Sequence, residues 1–223
     1  REKNKRRAVF MNGRKRTILR IDASMRRQKS VSRMLADEML AALGARKHGV
    51  TVNNRDLAAG IGIVNSAWIE AERTPEEHRT PDQRALLAQS DALVAEIQAA
   101  DDIVIATPIY NFSVPAALKA WIDLICRDKV TFAFQNDVSC GLLSNKQATV
   151  IITSGGTVFG SDFDYATGYI RHILDFIGVK NVTIIDVTGL SKNRSQVIEN
   201  ARNQIAETSA MRMSEQRNLS VAE

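Results

Sequence analysis

The spacing of apolar and polar positions changes several times along the chain, and each change marks an element. The clearest case is DDIVIATPIYNFSVPAALKAWIDLICR, from Asp101 to Arg127. Its charged opening gives way to an uncharged run, Ile103 to Thr107, the pattern of a strand covered on both faces. Pro108 cannot donate to a sheet ladder and ends that strand. Pro115 is preset for a first helical turn, after which Leu118, Trp121, Ile122 and Ile125 recur at helical spacing. Similar runs predict strands at Thr17 to Asp22, Val50 to Asn54, Ala148 to Thr153 and Val182 to Val187. Helical spacing predicts helices at about Ser32 to Leu43, Pro81 to Ala100 behind a Thr80 cap, Tyr165 to Gly178, and Lys192 to about Met213. Asp56 to Thr80 is irregular around a short helix at Ala67 to Glu72. Val130 to Phe134 is strand-like, and Gln135 to Asn145 reads as a polar connection.

Buried strands alternating with helices predict an α/β fold with a parallel sheet covered on both sides. Five such strands favour a flavodoxin-like doubly wound sheet of order 2-1-3-4-5 over a six-stranded dinucleotide fold. Ligands in open sheets of this kind sit at the carboxyl ends of the strands, near the switch point between the first and third. Three loops are expected to meet there: Ala23 to Val31, Pro108 to Val114 and Ser154 to Phe163. The first carries Ser24, Ser30 and Ser32 just ahead of a helix, the hydroxyls and free N–H groups of a phosphate cup, with Arg26, Arg27 and Lys29 near enough to steer an anion. The same serines also suit a plain helix cap. In the second loop, Ile109, Tyr110, Asn111 and Phe112 offer two rings and an amide to a planar ligand. Ser154, Gly155, Gly156 and Thr157 in the third lack bulk and let the main chain approach closely.

Charge narrows the reading. The net charge of +5 invites a nucleic-acid partner, but eight of the 30 basic residues and one of the 25 acidic ones lie in residues 1–16, leaving 22 against 24 elsewhere. The body is near neutral, so residues 1–16 read as a flexible basic extension, 17–213 as one domain and 214–223 as a polar tail, with no nucleic acid expected. The absence of a long apolar run or a signal-peptide core excludes a membrane helix and points to the cytoplasm. Cys126 and Cys140 form no CxxC pair, and His48, His78 and His172 show no metal-ligand spacing, so no metal is expected. The segment from Gly60 to Asn65 lacks the third glycine of a dinucleotide fingerprint and reads as a loop. Asp162 and Asp164 suit solvation or helix capping.

ASMRRQKSVSR after the first strand, TPIYNFSVPAALKAWID at the third, VTF soon after and ITSGGT at the fourth resemble the FMN-dependent NADH-azoreductase family of flavodoxin-like quinone and azo reductases. The similarity runs from about Thr17 to Gly189. It implies a homodimer with FMN at two sites near the interface. The phosphate would lie at Ser24, Ser30, Val31 and Ser32, and the ring along Ile109, Tyr110, Asn111 and Phe112. Ser154, Gly155, Gly156 and Thr157 would close the ring's other edge. Many family members carry an arginine between the serine and glycines of that last loop, and this chain does not. The implied activity is two-step transfer of electrons from NADH, or NADPH, through FMN to an azo dye or quinone. The cofactor carries the chemistry, so no protein residue is assigned as catalytic. Phe132 and Phe159 are candidates for the pocket wall. The competing readings are a one-electron carrier, for which the body is insufficiently acidic, and a nucleic-acid-associated protein acting through the basic extension.

Overall fold

The computed structural model describes residues 15–45 and 49–221, with side chains omitted at 213 and 215–221. Most of the basic extension and the last two residues of the polar tail lie outside that range. Among the described residues seven strands and six α-helices follow in order: β1 (Arg16–Asp22), α1 (Val31–Ala42), β2 (Val50–Asp56), α2 (Ser66–Arg73), α3 (Pro81–Ala99), β3 (Asp102–Pro108), α4 (Ala116–Ile125), β4 (Phe132–Gln135), β5 (Val138–Gly141), β6 (Gln147–Thr153), α5 (Thr167–Phe176), β7 (Asn181–Val187) and α6 (Arg194–Val221).

Five strands form one sheet in the order β2-β1-β3-β6-β7, all neighbours parallel. Counting only strands of this sheet, that is the expected 2-1-3-4-5. The central strand shows why. Side chains alternate across a strand, so Ile103 and Ile105 enter one apolar core with Leu93, Ile97, Trp121 and Leu174, while Val104 and Ala106 enter the other with Leu35, Met39, Ile185 and Ile205. Both faces are covered, which is why the strand reads as an unbroken apolar run. Each buried isoleucine contributes roughly 1.5–3 kcal/mol relative to exposure.

Local signals set most boundaries. Thr80 and Gln83 form a reciprocal capping box ahead of Pro81. β3 ends at Pro108, and the Ile109 N–H donates 2.8 Å to the Thr153 carbonyl of the neighbouring strand. Two stretches depart from expectation. The connection after Phe134 contains β5, which pairs antiparallel with β4 in a separate hairpin. The last helix runs to Val221, so residues 214–221 continue its backbone rather than beginning a tail. Arg16, placed with the basic extension by sequence, is the first residue of β1. No helix among the described residues is long and apolar enough to cross a membrane.

At the amino-terminal edge of the sheet, the buried Asp102 accepts from Arg16 Nε (2.7 Å) and Arg212 Nη1 (3.2 Å), while Arg212 Nη2 donates to the Ala148 carbonyl (2.9 Å). This locks α6 onto β3 and β6. The opposite edge holds the loops.

Candidate functional site

At the carboxyl edge, the loops after β1, β3 and β6 meet around a cavity of about 370 Å³, within the range of small-molecule sites. Its walls include Ser24, Ser30, Val31, Ile109, Tyr110, Ser154 and Gly155. Five other predicted residues do not line it: Ser32, in the first turn of α1, and Asn111, Phe112, Gly156 and Thr157, in the second and third loops.

Ser30 is the N-cap of α1, its hydroxyl accepting from Arg33 N. Its Oγ lies 3.2 Å from that of the buried Ser32. The cap reading and the cup reading are therefore compatible, since one serine closes the helix while the helix's amino end faces the cavity. The cup is tied from behind by Arg33, which donates to the Ser24 carbonyl (2.8 Å), Asp56 Oδ1 (2.5 Å) and Asp22 Oδ2 (3.3 Å). Burial pushes the Asp22 carboxyl above its ordinary value against the pull of Arg20 and Arg33. The Arg33 hydrogen bond holds Asp56 below its own. Arg26, Lys29 and Arg194 also line the cavity, and among the described residues no carboxylate does.

The β3–α4 loop is a tight turn. Tyr110 and Ser113 exchange backbone hydrogen bonds at 3.0 and 3.1 Å, and both central residues have positive φ, Asn111 at 49° and Phe112 at 70°. This is the pattern of a two-residue type I′ turn. Asn accepts the left-handed region readily, but a phenylalanine there is strained by roughly 1–2 kcal/mol. The Phe112 carbonyl accepts from Tyr165 N at 3.1 Å, and the Phe112 ring meets Phe163 with centroids 6.2 Å apart. Tyr110, Phe112, Phe163 and Tyr165 leave an aromatic apron exposed on this side of the molecule.

The third loop is shaped by Ser154, whose Oγ accepts from Thr157 N at 2.9 Å. A fourth loop, after β7, runs beside it: Leu190 N donates to the Ser154 carbonyl (3.0 Å) and Ser191 N to that of Gly155 (3.1 Å). A Cβ on Gly155 would stand 2.7 Å from Ser191 Oγ, so the glycine admits the neighbouring loop. Leu190, Ser191 and Arg194 thereby join the cavity wall. Sequence reasoning missed them, although VTGLSKNRS leaves the fifth sheet strand at the same edge as the other loops.

Phe132 and Phe159 do not line this cavity. Phe132 packs instead on Phe176, centroids 4.5 Å apart, and tethers the hairpin. Asp164 caps α5, accepting from the backbone N–H groups of Ala166 and Thr167 and from the Thr167 hydroxyl. Residues 60–64 form a loop leading to Asn65, the cap of α2. Among the described residues no group of three His, Cys, Asp or Glu side chains is placed to hold a metal ion.

The hydroxyl-rich cup at the first crossover helix and the aromatic turn after β3 thus stand at the switch point of a doubly wound parallel sheet, where open α/β sheets hold their ligands. Residues 16–208 match the family described as having a flavodoxin-like fold. The chain is 47% identical over 188 residues to the FMN-dependent NADH:quinone oxidoreductase 1 of Colwellia psychrerythraea, covering 84% of this chain and 97% of the relative. It is 50% identical over the same length to the protein of that name from a Jannaschia species, covering 84% and 96%. Its fold is shared with an FMN-dependent NADH-azoreductase from Bacillus anthracis solved in complex with FMN, at a TM-score of 0.80, 21% identity and coverage of 88% and 98%. The chain belongs to the flavodoxin-like family and groups within it with these oxidoreductase relatives.

Proposed function

We propose that this protein is an FMN-dependent oxidoreductase that transfers two electrons from NADH to quinone or azo acceptors. The observation that carries the reading is the convergence of four strand-end loops on one cavity whose two ends differ in chemistry. One end offers Ser24, Ser30, Val31 N–H, the amino end of α1 and Arg26, suited to a phosphate dianion. The other is bounded by Ile109, Tyr110 and the small residues Ser154 and Gly155, suited to the edge of a planar ring. FMN has this same polarity, an anionic phosphate that accepts at one end and a planar ring at the other, and the donors on the cavity wall fit it. The relatives that share nearly half the sequence are named for FMN and NADH.

Bound FMN supplies the two-electron chemistry. The chain's own residues position and exclude. The cup and Ser32 behind it hold the phosphate. Tyr110 would border the ring, with Asn111 and Phe112 shaping the turn that carries it, and Gly156 and Thr157 would continue the loop that Ser154 and Gly155 bring to the far edge. The apron of Tyr110, Phe112, Phe163 and Tyr165 gives a flat acceptor apolar rings to lie against, and its exposure suits burial against a second copy of the chain. We therefore read the working form as a cytoplasmic homodimer whose catalytic unit is one domain, running from β1 through α6. NADH is the donor in this reading, and no nucleic-acid role is assigned.

The test is a visible spectrum of the purified protein. Expected are flavin absorption bands, FMN released on denaturation, bleaching by NADH and recovery of colour on adding a quinone. Folded protein that is colourless and takes up no added FMN would refute the reading. A stable one-electron intermediate on titration would turn it toward a carrier.

A further inference from the structure

The loop between β6 and α5 is fixed along its length. The Ser154 hydroxyl holds its start through Thr157 N, and Phe159 N donates to Thr188 Oγ1 at 3.1 Å. Its end is gathered by one side chain. Asp164 Oδ1 accepts from the N–H groups of Ala166 (3.2 Å) and Thr167 (3.0 Å), and Oδ2 accepts from the Thr167 hydroxyl (2.7 Å) and from Gly160 N (3.0 Å). The first three bonds cap α5. The fourth adds nothing to the helix: it reaches back across the loop to a glycine at φ 69° and closes residues 160–164 on themselves, with Asp164 N donating to the Ser161 carbonyl at 2.9 Å.

The two residues that flank Asp164 both meet Phe112. The Tyr165 N–H donates to the Phe112 carbonyl at 3.1 Å, and the Phe163 ring stands 6.2 Å from the Phe112 ring. Phe112 is the bulky residue that the β3–α4 turn places at a φ of 70°. A side chain in that region relaxes unless its surroundings hold it there. The contacts that hold it come from either side of a carboxylate whose two oxygens are fully engaged, so the position of the clamp follows from the position of Asp164.

Resting on the FMN reading above, we propose that Asp164 is a positioning residue for the flavin site: by closing the β6–α5 loop it sets Phe163 and Tyr165 against Phe112, and so holds the turn after β3 in the shape that receives the flavin ring. Asp164 itself is not on the cavity wall. It acts through the Phe112 carbonyl and ring.

Asp164→Asn separates the clamp from the cap. Asparagine caps a helix about as well as aspartate, but its amide nitrogen donates and cannot accept from Gly160 N. Phe112→Gly tests the route, because glycine takes a positive φ without strain and needs no clamp. Flavin-free wild type, both single variants and the double variant are titrated with FMN and with riboflavin by quenching of flavin fluorescence. With Phe112 present, Asp164→Asn is expected to raise both Kd values about fivefold, the size of one hydrogen bond, and equally, because the two ligands share the ring and differ in the phosphate. With Gly at 112 the same substitution should change them less than twofold. Unchanged Kd values in Asp164→Asn protein of native circular dichroism would leave Asp164 a helix cap and overturn the proposal. A loss of equal size in both backgrounds overturns it by placing the effect outside the Phe112 contact, and a loss confined to FMN does so by placing it at the phosphate cup. Should Asp164→Asn unfold, Asp164→Ser, which caps with a single oxygen, repeats the cycle. Failure of the wild type to bind either flavin would instead remove the reading on which the proposal stands. The clamp is then still tested by urea unfolding of the same four proteins, where additive losses at 164 and 112 would refute it.

Discussion

Asn111 carries two burdens, a left-handed backbone and an amide beside the proposed ring, and two substitutions separate them. Alanine loses both, glycine only the amide. Asn111→Ala is expected to lower stability by about 1 kcal/mol and to weaken flavin binding, whereas Asn111→Gly should keep stability and still weaken binding. Urea unfolding alongside flavin titration checks this, and full affinity in the glycine variant would confine Asn111 to a turn role. Arg33 acts through others. Replacing it with Gln releases the Ser24 carbonyl and leaves the Asp22 carboxylate buried beside a single arginine, at a cost of about 2–4 kcal/mol. Since the proposed role of the Ser24 loop is to hold the phosphate and not the ring, Arg33→Gln should weaken FMN far more than riboflavin. An equal loss of both would show that the cup does not depend on this tether.

At the scale of elements, α5 shows how one carboxylate shapes a loop and a helix together. Burial opposes ionisation of Asp164, but hydrogen bonds from Thr167, Gly160 and Ala166 outweigh it and hold its pKa below the ordinary 3.8. A lowered carboxylate stabilises the folded state above the unfolded pKa, and that contribution is lost as pH falls through the folded value. Asp164→Ala is therefore expected to cost about 1 kcal/mol at neutral pH and to flatten the decline of stability below about pH 4. Acid titration of wild type and variant by circular dichroism measures it, and superimposable acid limbs would sink the account. Elements differ in how openly the sequence announces them. β3 and β6 are legible because both faces are buried and no charge interrupts Ile103 to Thr107 or Thr149 to Thr153. β5 is not, because Val138, Ser139 and Cys140 are all exposed and alternate with nothing. Its place depends on contact with a distant segment: the Leu143 N–H donates 2.9 Å to the Ile177 carbonyl, and a Cβ on Gly141 would strike Gly178 N at 2.1 Å. The β7–α6 loop escaped notice for a similar reason. Nothing in GLSKNR resembles a binding motif, and Arg194 reaches the cavity only because β7 pairs with β6.

Across the whole molecule, the two edges of the sheet divide the labour. The carboxyl edge concentrates features that local energetics disfavour: positive φ at Lys29, Asn111 and Phe112, exposed aromatic rings, and cations without partners. Such strain persists only where the surrounding structure holds it in place. The amino edge supplies part of that support through the Arg16, Asp102 and Arg212 lock, which fastens the last helix to two central strands. If the division is real, damage at one edge should leave the other's task intact. Arg212→Met keeps much of the side chain's apolar bulk while removing its charge from the buried Asp102, and is expected to cost about 3 kcal/mol. Flavin affinity at 25 °C in the absence of denaturant should not change, because the loops at the far edge keep their own hydrogen bonds. A variant of wild-type stability that binds flavin poorly would mean that α6 is coupled to the site through its first turn, where Arg194 stands, rather than serving as a brace for the sheet.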